Sequence, residues 1–120
     1  MTTMTHLPEL ITTTRVLVDP ELSGVLAGGL LAGPAAVSLC KDRRALLAQA
    51  GEGTVVVLAD PHPLAVDVLV RWGCEVVAVS TESGDRAEEW LEEVVRSGAV
   101  AALIRPEVAA LQGAVAFAAA

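Results

Sequence analysis

Aromatic side chains are almost missing from this 120-residue chain: Phe117, Trp72 and Trp90 are the whole set, and there is no tyrosine. The core must therefore be assembled from Val, Leu and Ala, and few rings are available to stack on a flavin. Basic residues are also scarce, with 8 Lys and Arg against 15 Asp and Glu and a formal charge of −7. Nucleic-acid binding needs clustered cations to neutralise phosphates, so a direct nucleic-acid surface is not expected. The two cysteines, Cys40 and Cys74, have neither Cys-x-x-Cys spacing nor a neighbouring His. That pattern argues against a metal site and for buried free thiols in a reducing cytoplasm.

A targeting signal is missing as well. Met1 to Thr14 has no basic region followed by an apolar one, and its threonines read as a loose leader to a single domain over residues 15–120. The one stretch long enough to suggest a membrane span, Leu22 to Cys40, is cut by Gly24, Gly28, Gly29, Gly33 and Pro34. It reads instead as a short helix, a turn and a strand. LAGGLLAG, residues 26–33, lacks the G-x-G-x-x-G spacing of a dinucleotide loop, and no nucleophile lies in a pattern with a base. The chain is expected to be non-catalytic.

What the sequence does have is a series of apolar runs. TVVVLADPHP, residues 54–63, reads as a central strand buried on both faces that runs into an acid, Asp60, and a proline-bounded turn. Arg15 to Val18, Ala35 to Cys40, Cys74 to Val79 and Val100 to Ile104 read as four more strands. Helices are predicted over Leu22 to Ala32, Lys41 to Ala50, Leu64 to Trp72, the segment after Gly84, and Glu107 to the end. Leu64 to Trp72 is apolar around nearly its whole circumference, which predicts burial on more than one side. In the helix after Gly84, capped by Ser83 or Asp85, Ala87, Trp90, Leu91, Val94 and Val95 share one face; Glu88, Glu89, Glu92 and Glu93 form a solvated opposite face. Strictly alternating strands and helices imply an α/β fold: a five-stranded parallel sheet in the order 2-1-3-4-5, helices on both faces. In such sheets functional groups collect at the carboxyl ends of the strands.

Four landmarks at those ends resemble the receiver domain of bacterial response regulators, a flavodoxin-like, chemotaxis-type fold. RVLVDPE resembles that family's first strand and acidic cluster, VVVLAD the strand ending in its phospho-accepting Asp, VVAVST the strand ending in its switch hydroxyl, and GAVAALIRP its last strand with Lys-Pro. The resemblance spans about residues 15–120. It implies Asp60 as phospho-acceptor, Asp19 and Glu21 as the acidic pocket, Ser80 and Thr81 as switch hydroxyls, and Arg105 as the cationic partner. It also implies Mg²⁺ on Asp19 and Asp60 if phosphorylation is retained. The chain departs from the pattern at several points. Pro20 replaces the second of two adjacent acids, Arg105 replaces a lysine, and the loop after Asp60 is about three residues short. These departures favour a degenerate pseudo-receiver.

Plainer roles stand beside these. Asp60 and Asp19 are also suited to helix capping, His62 to a loop position between prolines, and Ser80 and Thr81 to bonding the backbone. Arg105 is a candidate to pair with Asp19 or Asp60 in place of a metal's charge. Between Glu107 and Ala120 only Glu107 and Gln112 are polar, which predicts a homodimer or a protein partner on the last helix and the strand before it. Two alternatives remain: a structural subunit, since VVVLADP to ALIRPE also looks like the small stalk subunit of rotary ATPases, and a small-ligand-binding flavodoxin-like protein.

Overall fold

The computed structural model describes residues 14–22, 24–33, 36–82 and 85–120. Five strands, β1 (Arg15–Val18), β2 (Ala36–Leu39), β3 (Val55–Ala59), β4 (Glu75–Ser80) and β5 (Ala101–Ile104), alternate with five helices among these residues. The helices are α1 (Gly24–Leu31), α2 (Arg43–Gln49), α3 (Pro63–Arg71), α4 (Asp85–Arg96) and α5 (Val108–Ala119). Every strand pair is parallel, in the order β2-β1-β3-β4-β5. The expected topology and strand order are therefore found, and Leu22 to Cys40 divides into α1 and β2. Among the described residues no helix is long and apolar enough to cross a membrane. The predicted cap Ser83 and the break at Pro34 lie outside the described residues.

Alternation along the strands sends side chains to two separate cores. Val16, Val18, Val55, Val57, Val77 and Val79 face Leu30 of α1 and Leu111 and Val115 of α5. Leu17, Val56, Leu58, Val76 and Ala78 face Leu46 of α2, Val66 and Leu69 of α3 and Val94 of α4. The centre of the sheet is buried throughout β3, whereas the edge strand β2 has none of its four residues buried. Both cysteines are buried free thiols just outside their strands, and burial pushes the Cys40 thiol above its usual pKa.

One expectation about the helices needs correction. α3 is not buried on several sides: Val66 and Leu69 are buried, but Leu64 and Val68 face solvent, as does Trp72 just past its end. With only Asp67 and Arg71 polar, α3 has little polar face to orient it, and here the sheet covers only one side of an outer-layer helix. In α5, part of the apolar surface is covered within the chain. Gly29 of α1 lies so close to Val108 that a Cβ at position 29 would stand 2.4 Å from its Cγ1, and Gln112 Nε2 donates to the Gly29 carbonyl at 2.8 Å. Phe117 nevertheless remains 72% exposed.

Candidate functional site

Because all five strands run the same way, the residues that follow β1, β3, β4 and β5 meet along one rim. Backbone bonds extend the ladders into it: the N–H groups of Asp19, Asp60 and Arg105 donate to the carbonyls of Val57, Val79 and Ser80 at 2.9, 2.7 and 2.8 Å. The rim is the sheet's carboxyl edge, where the sequence places its candidate residues.

Asp19 is completely buried there. Its Oδ1 accepts the Glu21 N–H at 2.9 Å, and its Oδ2 accepts the Ala59 N–H at 3.0 Å together with Nε and Nη2 of Arg43 at 3.0 and 2.8 Å. Nη2 of Arg43 also donates to the Ala59 carbonyl, and its Nε lies 3.2 Å from Oε2 of Glu21. The guanidinium thus joins the end of β1 to the end of β3. Its hydrogen bond to Asp19 holds its pKa above the ordinary value, with the negative charges of Asp19, Glu21 and Asp60 acting the same way against partial desolvation. Asp19 is therefore not a helix cap; it anchors a buried polar cluster.

Asp60 sits just outside that cluster, exposed, with its backbone in the left-handed region at φ 46°. Its Oδ1 accepts the Thr81 N–H at 3.0 Å and its Oδ2 accepts the Thr81 hydroxyl at 2.8 Å. The two candidate residues are brought together, and the capping role expected as Asp60's plainer reading falls to His62. Its Nδ1 accepts the Leu64 N–H at 3.1 Å at the start of α3. Ser80 is buried and accepts the Glu82 N–H at 3.1 Å, the plainer of its two expected roles. A polar hollow of about 240 Å³ lies beside Asp60, lined by Ser80, Glu82, Arg86 and Trp90. Trp90 Nε1 donates to the Pro61 carbonyl at 2.8 Å, fastening α4 to the loop that follows Asp60.

Arg105 reaches the same rim but pairs with neither acid. It is exposed, its φ is 45°, and its side chain has no hydrogen-bond or ion-pair partner among the described residues. The cation that does engage Asp19 is Arg43, which sequence reasoning missed. A signal was available: a basic residue in the first turn of a helix opposes the helix dipole, which favours acids there. Arg43 opens α2 directly after its N-cap, Asp42, whose Oδ1 accepts the Ala45 N–H at 2.7 Å. A cation so placed calls for a tertiary acidic partner, although the sequence does not say which.

The acids do not fit Mg²⁺ on Asp19 and Asp60. All four of their carboxylate oxygens accept N–H or O–H donors, and a guanidinium already occupies the oxygens of Asp19, Glu21 and the Ala59 carbonyl. A hard cation needs free oxygen ligands in a close octahedron. Among the described residues no group of three or more His, Cys, Asp or Glu is arranged to hold a metal ion.

Solved structures with the same architecture include response-regulator receivers. FixJ-N superposes with a TM-score of 0.71 at 20% identity over 90% of this chain and 94% of its own. The chain has the receiver fold. An orphan response regulator of H. pylori gives a TM-score of 0.67 at 17% identity, covering 89% of this chain and 97% of its own. The signal receiver domain of a LuxO repressor protein from Vibrio parahaemolyticus gives 0.68 at 15% identity, covering 90% and 91%. At these identities the likeness is one of fold. No protein-family model and no curated protein matches the sequence. In this receiver-like chain the landmark positions keep their places along the rim, with Asp60 bonded to Thr81, Asp19 bonded to Arg43, and the Arg105 side chain without a partner among the described residues.

Proposed function

We propose that this chain is a non-catalytic signalling module, a pseudo-receiver that keeps the receiver scaffold and signals through protein contact rather than through metal-assisted phosphorylation of Asp60. The observation that carries this reading is the closed state of the acidic pocket: the buried Asp19 carboxylate is saturated by Arg43 and two backbone N–H groups. Phosphoryl transfer to a carboxylate depends on positioned cations that neutralise the developing charge. Here Arg43 is taken up by Asp19 and Glu21, and Arg105 in the lysine's place is turned to solvent. The output surface in this reading is the exposed side of α5, where Ala109, Ala110, Ala116 and Phe117 face water and a second copy of the chain is the expected partner. Two buried free thiols suit a reducing cytoplasm.

Incubation with Mg²⁺ and either acetyl phosphate or beryllofluoride tests it. The intact mass and the melting temperature are expected to stay unchanged. A mass increase of one phosphoryl group that disappears in Asp60→Asn would restore the active-receiver reading and overturn this one.

A further inference from the structure

On the sheet face away from α1 and α5, α2 packs on β1 while α3 packs on β4 and α4. The two helices stand apart over β3, and a hollow of about 150 Å³ opens between them beside Leu58. Buried leucines form its floor, Leu46 of α2, Leu58 of β3 and Leu69 of α3, while Leu47 and Ala65 stand exposed around it. An apolar cavity of roughly 150 Å³ accepts benzene, so this space suits one ring or its equivalent in branched hydrocarbon.

Two polar side chains join the lining, Arg43 and His62, and each has a donor to spare. Nδ1 of His62 accepts the Leu64 N–H at 3.1 Å, so the neutral imidazole carries its proton on Nε2, which has no partner among the described residues. Arg43 commits Nε and Nη2 to Asp19, Glu21 and the Ala59 carbonyl, which leaves Nη1. Charge then narrows the class of ligand. The guanidinium is already outnumbered by Asp19 and Glu21, with Asp60 also acting on it, so an entering anion meets net negative charge. A cation finds only donors on the polar side chains of the lining. An uncharged apolar molecule with one acceptor oxygen meets neither obstacle.

We propose that the hollow between α2 and α3 binds a small neutral carbonyl compound, its ring-sized body on Leu46, Leu58 and Leu69 and its oxygen accepting from Nε2–H of His62. The site goes beyond the signalling reading, since it makes no use of the Asp60 carboxylate and stands whether or not Asp60 takes phosphate. It sets the ligand against Pro61 and His62, in the loop that Trp90 of α4 also holds through the Pro61 carbonyl.

Acetophenone is the probe, titrated to about 10 mM into the isotope-labelled chain and followed by backbone amide shifts. Saturable shifts are expected at Leu47, Leu58, His62 and Ala65, with a dissociation constant of about 1 mM or tighter. Toluene, which has the ring without the oxygen, should bind about three- to tenfold more weakly. Acetophenone should weaken by the same about three- to tenfold on His62→Ser, a change that keeps an N-cap acceptor for α3 and removes the Nε2 donor. Benzoate and benzylamine should bind at least about tenfold more weakly than acetophenone. Ala65→Phe fills the hollow from an exposed position and should abolish the shifts in a folded chain. A wild-type chain without saturable shifts would overturn the proposal, as would benzoate binding as tightly as acetophenone. Shifts centred on Trp72 or Phe117, or persisting in folded Ala65→Phe, would put the probe on exposed apolar surface and overturn it too. If Ala65→Phe does not fold, the oxygen contact decides: equal affinities for toluene and acetophenone, and for wild type and His62→Ser, sink the assignment.

Discussion

Asp19 and Asp60 are the same residue type one strand apart on the same rim, yet their surroundings give them opposite weights in stability. Asp19 is fully buried with four donors aimed at it, and Asp60 is exposed with both bonds going to Thr81. A buried carboxylate that loses its charge leaves its cation and N–H groups without a partner, a penalty that surface pairs escape through water. Asp19→Asn is therefore expected to cost about 3 kcal/mol in a urea melt. Asp60→Asn, which keeps a side chain tolerant of the left-handed backbone, is expected to stay within about 1 kcal/mol of wild type. Equal losses at the two positions would mean that Asp60 is as structural as Asp19. The sequence identifies both acids because each follows an apolar strand at the functional edge, but it is silent on their ranking. Burial of Asp19 depends on Arg43, whose contact with it joins residues 24 positions apart in the chain.

Adjacent glycines in α1 make the same point for an element. Gly28 is exposed with no atom within 4 Å of where its Cβ would lie, whereas a Cβ at Gly29 would stand 2.4 Å from Cγ1 of Val108. From composition alone both look like equal weaknesses in a short helix, which is how the sequence presents LAGGLLAG. The structure separates them: Gly28 is a propensity cost with no return, and Gly29 permits α1 and α5 to approach closely on the same face of the sheet. Gly28→Ala is expected to stabilise by about 0.5–1 kcal/mol. Gly29→Ala gains the same propensity but forces Val108 aside, so a net loss of about 1 kcal/mol is expected, read as a lower melting temperature. A Gly29→Ala variant as stable as Gly28→Ala would show that the α1–α5 contact yields easily. Sidedness is legible only where polarity marks it. The glutamates of α4 point out as predicted, while α3, with Asp67 and Arg71 paired to each other at 3.1 Å, carries too little contrast to show which side meets the sheet.

For the whole molecule, the sheet was the most legible feature, because strands covered on both faces must be apolar at every position and β3 and β4 are nearly so. Parallel direction and strand order followed from the alternation with helices, and the gathering of residues 19, 60 and 105 on one edge followed from direction. What one chain leaves exposed is a different matter. The inner side of α5 is used up by the sheet and α1, through Leu111, Val115 and Gln112, while Phe117 on the outer side stands 72% exposed in a chain with only three aromatic residues. Apolar surface of this kind is stabilised by association, and a helix face related by a two-fold axis provides its own complement. Light scattering coupled to size exclusion is therefore expected to give a mass above the 12.3 kDa of one chain at micromolar concentration. Phe117→Glu should return it to 12.3 kDa. Since Phe117 contributes little to the core, that change is expected to alter the monomer's stability by no more than about 0.5 kcal/mol. A wild-type chain that remains monomeric, or a Phe117→Glu chain that stays associated, would place the contact surface elsewhere and leave α5 as a helix whose exposed face has no partner.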